Sequence, residues 1–184
     1  MGVFLLELKE RMPVLGRIQF LVHNADGSLA EERTVANTSC AEGLTIFATA
    51  VAWSAIEDQN ANMGSPFSSP YYLAPVYGAV GTSATAVTVN DSQLTAESAI
   101  LTRQVCSSYG TTAASGSTGS MATFSFFFPI PGSSVVVAEA GMFLQATSTI
   151  NSGFILDHAL ISPTVTVGTN QTATLNVTFT FSAT

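Results

Sequence analysis

Hydrophobic residues recur with a period of two over most of this chain, and the last segment shows the rule most plainly. Leu175, Val177, Phe179 and Phe181 alternate with Thr174, Asn176, Thr178 and Thr180, which predicts a strand with the first set in a core and the second facing water. The same alternation marks Val14 to Val22, where Ile18, Phe20 and Val22 share a face. Asn24-Ala-Asp-Gly27 follows as a turn, so Ser28 to Val35 is predicted to return as the second arm of a hairpin. Further strands are predicted over Tyr71 to Val80, with Pro75 marking an edge or bulge, over Ile100 to Tyr109, and from Met121 onwards. Asn151-Ser-Gly153 reads as a turn between two of the later strands.

The period changes to three and four in three places. Phe4, Leu5, Leu8 and Met12 lie on one helical stripe ended by Pro13, which predicts a short N-terminal helical arm over residues 1–13. Ser39-Cys-Ala-Glu42 has the form of a capping box, and Leu44, Phe47, Ala48, Val51 and Ala55 continue it, predicting one main helix over about residues 39–55. Asp91 or Ser92 begins a turn or two of helix anchored by Leu94. Asn60 to Pro70 is a connecting loop, and Gly110 to Ser120 is a Gly/Ser/Thr/Ala loop with too little apolar surface to pack. Many short strands separated by turns, with one helix against them, predict a mainly β fold: a single antiparallel β-sandwich over residues 14–184.

Composition narrows the functional classes. Charged residues make up 9% of the chain, against about 25% in a typical soluble domain, and the mean hydropathy is +0.39. A surface this neutral argues for an obligate assembly component whose faces are covered by other subunits. The net charge is −7, and because residues 1–17 hold three cations and two anions, the remainder carries −8. Nucleic acid is excluded as a partner, since phosphate contacts need clustered Lys and Arg. The N-terminal apolar run is too short, and lacks the basic flank, for a secretory signal, and no apolar stretch reaches the ~18 residues of a membrane span. Cys40 and Cys106 are too few for a disulfide framework and lack metal-ligand spacing.

The chemistry-bearing residues are sparse. Glu139 sits inside the apolar run Val135 to Phe143, where Gly141 marks a bulge or a close backbone approach. A carboxylate there needs a cation or several donors. Three of the five cations lie near the N-terminus, leaving Arg33 and Arg103 as remote partners. Arg103 is favoured, giving a structural Glu139–Arg103 ion pair; the other possibility is that Glu139 lies on the solvated face of an edge strand. His23 and His158 have no metal spacing and read as structural, and Asp157 should leave the opposite face of its strand from His158. Gly78-Ala-Val-Gly81 has no following Lys and reads as a turn rather than a phosphate loop. No nucleophile elbow, cofactor motif or metal site is present, which points away from an enzyme. Phe124-Ser-Phe-Phe-Phe128 is apolar on both faces, so Phe124, Phe126, Phe127 and Phe128 are candidate assembly contacts, together with Phe4, Leu5, Leu8 and Met12 of the arm.

Taken in order, several of these motifs form a pattern. The turn at Asp26-Gly27, Asn37 ahead of Glu42-Gly-Leu44, Tyr77-Gly-Ala-Val-Gly81, Asn90-Asp-Ser-Gln-Leu94 with Glu97 and Arg103, and Glu139-Ala-Gly-Met-Phe143 before a Thr-rich last strand succeed one another. Over about residues 17 to 182 this resembles a family of tailed-bacteriophage virion β-sandwich proteins, whose members carry a Gly-x-Gly-Thr turn, an Asp-Thr-x-Leu-x-x-Glu helix followed by Arg, and a Glu-Ala-Gly-Leu-Phe strand. Here the turn lacks the clean Gly-x-Gly-Thr form, Ser92 replaces Thr and Met142 replaces Leu. The resemblance implies a non-enzymatic subunit of the virion, assembled in the host bacterial cytoplasm and needing no cofactor. Of the roles it covers, a head decoration (cement) protein or a head or neck accessory is favoured, with a homotrimer bound to the major capsid or other head, neck or tail proteins. The arm lies outside the pattern, so attachment through it would be particular to this chain. A tail-fibre or receptor/carbohydrate-binding module is the alternative, and would expose the aromatics around Tyr71 to Tyr77 and the Gly110 to Ser120 loop.

Overall fold

The computed structural model describes residues 14–41, 44, 45, 76–112 and 120–181. The predicted N-terminal arm, the Asn60 to Pro70 loop and most of the predicted main helix lie outside them. Within them the chain is a β-sandwich of two five-stranded antiparallel sheets.

The first sheet has the order β2-β1-β10-β7-β6, where β1 is Val14–His23, β2 Leu29–Ala36, β6 Ser108–Thr112, β7 Ser120–Phe128 and β10 Thr172–Phe181. The second has the order β3-β9-β8-β4-β5, where β3 is Thr38–Ser39, β4 Tyr77–Gly81, β5 Gln104–Val105, β8 Val135–Leu144 and β9 Phe154–Val167. The predicted β1–β2 hairpin forms, closed by the Asn24 to Gly27 turn, where Gly27 takes a φ of 83° and Asp26 accepts from the amide of Ser28. The Asn151-Ser-Gly153 turn also forms, with Asn151 and Gly153 both at positive φ.

Between the sheets lies the main core. Ile18, Phe20 and Val22 of β1, Phe126 and Phe128 of β7, and Leu175, Val177 and Phe179 of β10 meet Val80, Met142, Leu144 and Ile161 from the other sheet. Each fully buried Phe contributes about 2 to 3 kcal/mol relative to exposure. β10 has the expected alternation, yet its Thr and Asn residues are half-buried, because β10 runs between β1 and β7 rather than at an edge. Side chains cross that outer face as a ladder: Gln19 donates to Glu32 at 2.7 Å, Asn176 to Gln19 at 3.1 Å and Ser125 to Asn176 at 2.7 Å.

Several expectations are corrected here. No helical element occurs among the described residues; only Ala41, Leu44 and Thr45 are helical, with the Leu44 amide donating to the Cys40 carbonyl. Ser39 is not the cap, since it is paired with Asp157 in β3. Residues 91 to 97 form turns and bends rather than a helix, although Leu94 is the buried anchor expected. Gly78 to Gly81 is strand, not turn, and is paired with β8 along its length. Gly110 to Thr112 belongs to β6 rather than to a loop.

The decisive irregularity is in β8. Val135 and Val137 point into the main core, and after a register slip between Val137 and Glu139 the core-facing residues become Ala140, Met142 and Leu144. Between the pairs Val137–Val165 and Glu139–Leu160 the single residue Ala138 lies against four residues of β9, Ile161 to Thr164, and across this irregularity the parity of β8 that faces inward changes. Glu139, Gly141 and Phe143 are thereby turned to the outer face of the second sheet. A smaller apolar cluster lies on this face, made of Cys40, Ala79, Leu94, Phe143, Ala146 and Ile155. The segment after β4 doubles back over it, with the Thr82 amide bonded to the Ala96 carbonyl and the Ser98 amide to the Val80 carbonyl.

Candidate functional site

The buried ionisable groups collect where that segment crosses the second sheet. Glu139, on the central strand β8, is fully buried. Its Oε1 accepts from the Ala96 amide at 2.7 Å, and its Oε2 accepts from the Thr95 amide at 3.0 Å and lies 2.9 Å from Nε2 of His158. His158 reaches it from the neighbouring strand β9, where it pairs with Gly141. The other ring nitrogen, Nδ1, lies 2.8 Å from Oδ2 of Asp91. Asp91 in turn accepts from the Thr88 amide at 3.0 Å and the Thr88 hydroxyl at 2.7 Å.

Space for this arrangement comes from two glycines. A Cβ on Gly81 would collide with Oε1 of Glu139 and with the Ala96 carbonyl oxygen, and one on Gly141 would stand 2.7 Å from the Asp157 carbonyl oxygen. Burial pushes the Glu139 carboxyl up, but the His158 ring and the Ala96 and Thr95 amides outweigh it and hold the group below the ordinary glutamate value. Asp91 behaves alike: burial raises it, and the Thr88 and His158 hydrogen bonds bring it below the ordinary aspartate value. Each ring nitrogen of His158 thus faces a carboxylate oxygen.

Arg103 forms a second clasp. It is buried, and its partner is Glu97, not Glu139: Nε donates to Glu97 Oε1 at 2.6 Å and a terminal nitrogen to Oε2 at 2.8 Å. The remaining donors reach the Ser152 carbonyl at 2.5 Å and the Gln93 side chain at 3.0 Å, and the guanidinium lies 3.8 Å over the Phe143 ring. The expected Glu139–Arg103 pair is thus corrected on both sides. A guanidinium fork matches one carboxylate in bidentate fashion, and Glu97, on the same segment, occupies that fork. Glu139 finds its donors in backbone amides and a histidine, and the solvated-edge alternative fails as well, because β8 runs between β9 and β4.

On the opposite face of β9, Asp157 pairs with Met142 and points between the sheets. Both of its carboxyl oxygens, and both side-chain polar atoms of Asn37, are buried without a hydrogen-bond partner. Burial pushes Asp157 up to about 7, against the opposing influence of Asn37 and His158. Asn37 stands where the chain passes from β2 to β3 and lies over Gly16, where a Cβ would collide with its amide.

The cluster fastens the segment after β4 to the second sheet. Neither ring nitrogen of His158 is turned to solvent, and the nearest hydroxyl in the chain of contacts, Thr88, donates to Asp91 and not to the imidazole. Among the described residues no group of three His, Cys, Asp or Glu side chains could hold a metal ion. Nor, among them, is any helix long and apolar enough to cross a membrane.

No family model matches the chain, and no curated protein or solved structure matches it either.

The expected assembly contacts divide. Phe4, Leu5, Leu8 and Met12 lie outside the described residues. Phe126 and Phe128 are fully buried in the chain's own core, and this corrects their assignment to an interface. Phe124 is half-buried and meets Phe179 edge-on at 6.4 Å. Phe127, on the other face of β7, is 49% exposed and remains available to a neighbour. Of the aromatics expected at a binding face, Tyr71 and Tyr72 are outside the described residues, and Tyr77 packs against the smaller apolar cluster.

Asp91, Glu97 and Arg103 belong to motifs visible in the sequence, but their partners were not. What brings His158 and Glu139 together is an irregularity of the β8–β9 pairing at an alanine, and no local pattern announces it.

Proposed function

We propose that this chain is a non-enzymatic structural subunit of a tailed-phage virion, a head decoration (cement) protein or a head or neck accessory that stabilises the particle through subunit contacts. The observation that carries this reading is where the few charges go. Arg103, Glu139 and Asp157 are buried, and the Glu97 side chain is 1% exposed, so a chain already poor in ions spends several of them internally. The surface left over is sparse in charge, carries Phe127 on one sheet face, and suits coverage by protein partners. Those partners would be further copies of the chain, a trimer being favoured, and the major capsid or other head, neck or tail proteins.

Labelling the C-terminus and locating it on intact particles by electron microscopy tests this. Label on the shell or neck is expected, and label confined to distal fibre tips would overturn the reading. The second reading, a receptor- or carbohydrate-binding module at a fibre tip, draws support from Tyr109, an aromatic 82% exposed on β6.

A further inference from the structure

The two sheets end in four edges, β2, β6, β3 and β5, and an edge strand presents a row of backbone groups ready to pair with another strand. Three of the four are guarded. β3 and β5 are two residues long. β2 carries Glu31, Glu32 and Arg33, and Arg33 is engaged with the Glu31 carboxylate and with the Pro163 carbonyl oxygen at 3.2 Å. The fourth, β6, has none of these protections: all five residues from Ser108 to Thr112 are exposed, and none is charged or proline. It pairs with β7 on one side and with no other strand among the described residues.

We propose that β6 is the edge through which two copies of this chain join, antiparallel about a two-fold axis, so that their first sheets become continuous. This deepens the assembly-subunit reading and rests on it, with a two-fold contact between copies in place of the three-fold one favoured above. A second copy is the occupant because an antiparallel edge is its own complement under a two-fold axis, and because the electrostatics allow it. From Gln104 to Ala138 the chain has no charged residue, so apposing two β5-β6-β7 segments brings no like charges together, whereas two β2 edges would oppose glutamates.

The side chains fit the same geometry. Tyr109 pairs with Phe124 and Thr111 with Ala122 across β6–β7, so all four share the sheet face that looks toward the core. With the axis at Gly110, Tyr109 of each copy stands opposite Thr111 of the other, giving two aromatic/β-branched cross-strand pairs of a stabilising kind. The phenol ring, 82% exposed in one copy, gains a neighbour on the side where the sheet ends.

The test is sedimentation of the purified full chain over a wide concentration range, with hydrogen exchange read at the same concentrations. A dimer is expected, with the amides of β6 becoming protected as it forms. Thr111→Lys, a charge placed on the edge, raises the dimer dissociation constant by about tenfold or more, whereas Thr34→Lys on β2 leaves it unchanged. Should Thr111→Lys not fold, the concentration dependence of β6 protection in the unaltered chain decides alone. A dimer whose β6 amides exchange as fast as in the monomer, or one insensitive to Thr111→Lys, overturns the β6 contact. A chain that stays monomeric in solution also overturns it, and binding of that monomer to particles lacking the protein then shows separately whether the virion reading survives.

Discussion

Nε2 of His158 lies 2.9 Å from Oε2 of Glu139 across two neighbouring strands, with both side chains fully buried. The contact joins the second sheet to the segment above it, since Glu139 also holds the Thr95 and Ala96 amides and His158 also holds Asp91. Glu139→Gln keeps the shape but removes the charge that three donors share. A loss of about 2 to 4 kcal/mol is expected in urea unfolding. The pH dependence carries a sign. The folded Glu139 carboxyl lies below its ordinary value of 4.5, so its contribution is present above pH 4.5 and is lost as the pH falls through the lower folded value. Glu139→Gln should lack that portion of the acid limb, and an acid limb unchanged from the parent would show that Glu139 is not held as an ion.

Arg103 should be coupled to Glu97 and not to Glu139. Arg103→Ala strips five hydrogen bonds and a ring contact from a buried site, and a loss of about 3 to 5 kcal/mol is expected. In a double-mutant cycle, Arg103→Ala with Glu97→Gln should give a coupling energy of about 1 to 3 kcal/mol. Arg103→Lys tests the fork itself: an ammonium keeps the charge but cannot grip both Glu97 oxygens, so it should recover less than half of the loss. Full recovery by lysine would mean that charge alone matters there.

These two clasps mark where reading the sequence stops. The β1–β2 hairpin, the alternation of β10 and the sandwich itself follow from period-two patterning and turn chemistry, both local. Leu94 was legible as an anchor because it is the one apolar residue in a polar stretch. The partner of Arg103 was not, since choosing between Glu97 and Glu139 requires knowing which face of β8 each residue takes. Phe126 and Phe128 went to the core and Phe127 to the surface for a reason visible only once β7 is paired on both sides. Gly78 and Gly81 looked like turn residues, yet they are strand positions that make room for the Phe126 ring and the Glu139 carboxylate.

Ala138 carries a prediction of its own. It lies at the irregularity across which Val137 and Ala140 both face the main core and Glu139 faces outward. Deleting Ala138 leaves an unbroken alternation in which Val135 and Val137 still face the main core and Glu139 still faces outward, so the variant should keep a cooperative thermal transition by circular dichroism. A loss of about 1 to 3 kcal/mol is expected from the buried Ala138 side chain and its local contacts. A deletion variant without a cooperative transition would show that Ala138 does more than set the parity of β8.

Asp157 predicts a second pH effect, opposite in sign to that of Glu139. Buried between the sheets with no partner for either oxygen, it keeps its proton up to about 7 when folded, against an ordinary value of 3.8. Between those values the native state binds the proton that the unfolded chain has released, so the contribution of Asp157 to stability is greatest below about pH 4, falls as the pH rises to about 7, and is then level. Asp157→Asn replaces the acid with a neutral group of the same shape whose amide can bond to Asn37. The variant should match the parent near pH 4 and exceed it at pH 8 by roughly 2 to 4 kcal/mol, read as a shift in the urea midpoint at unchanged slope. If the variant is no more stable than the parent at pH 8, the Asp157 carboxylate has found donors in solution, and the decline between pH 4 and 7 must be absent from the parent too.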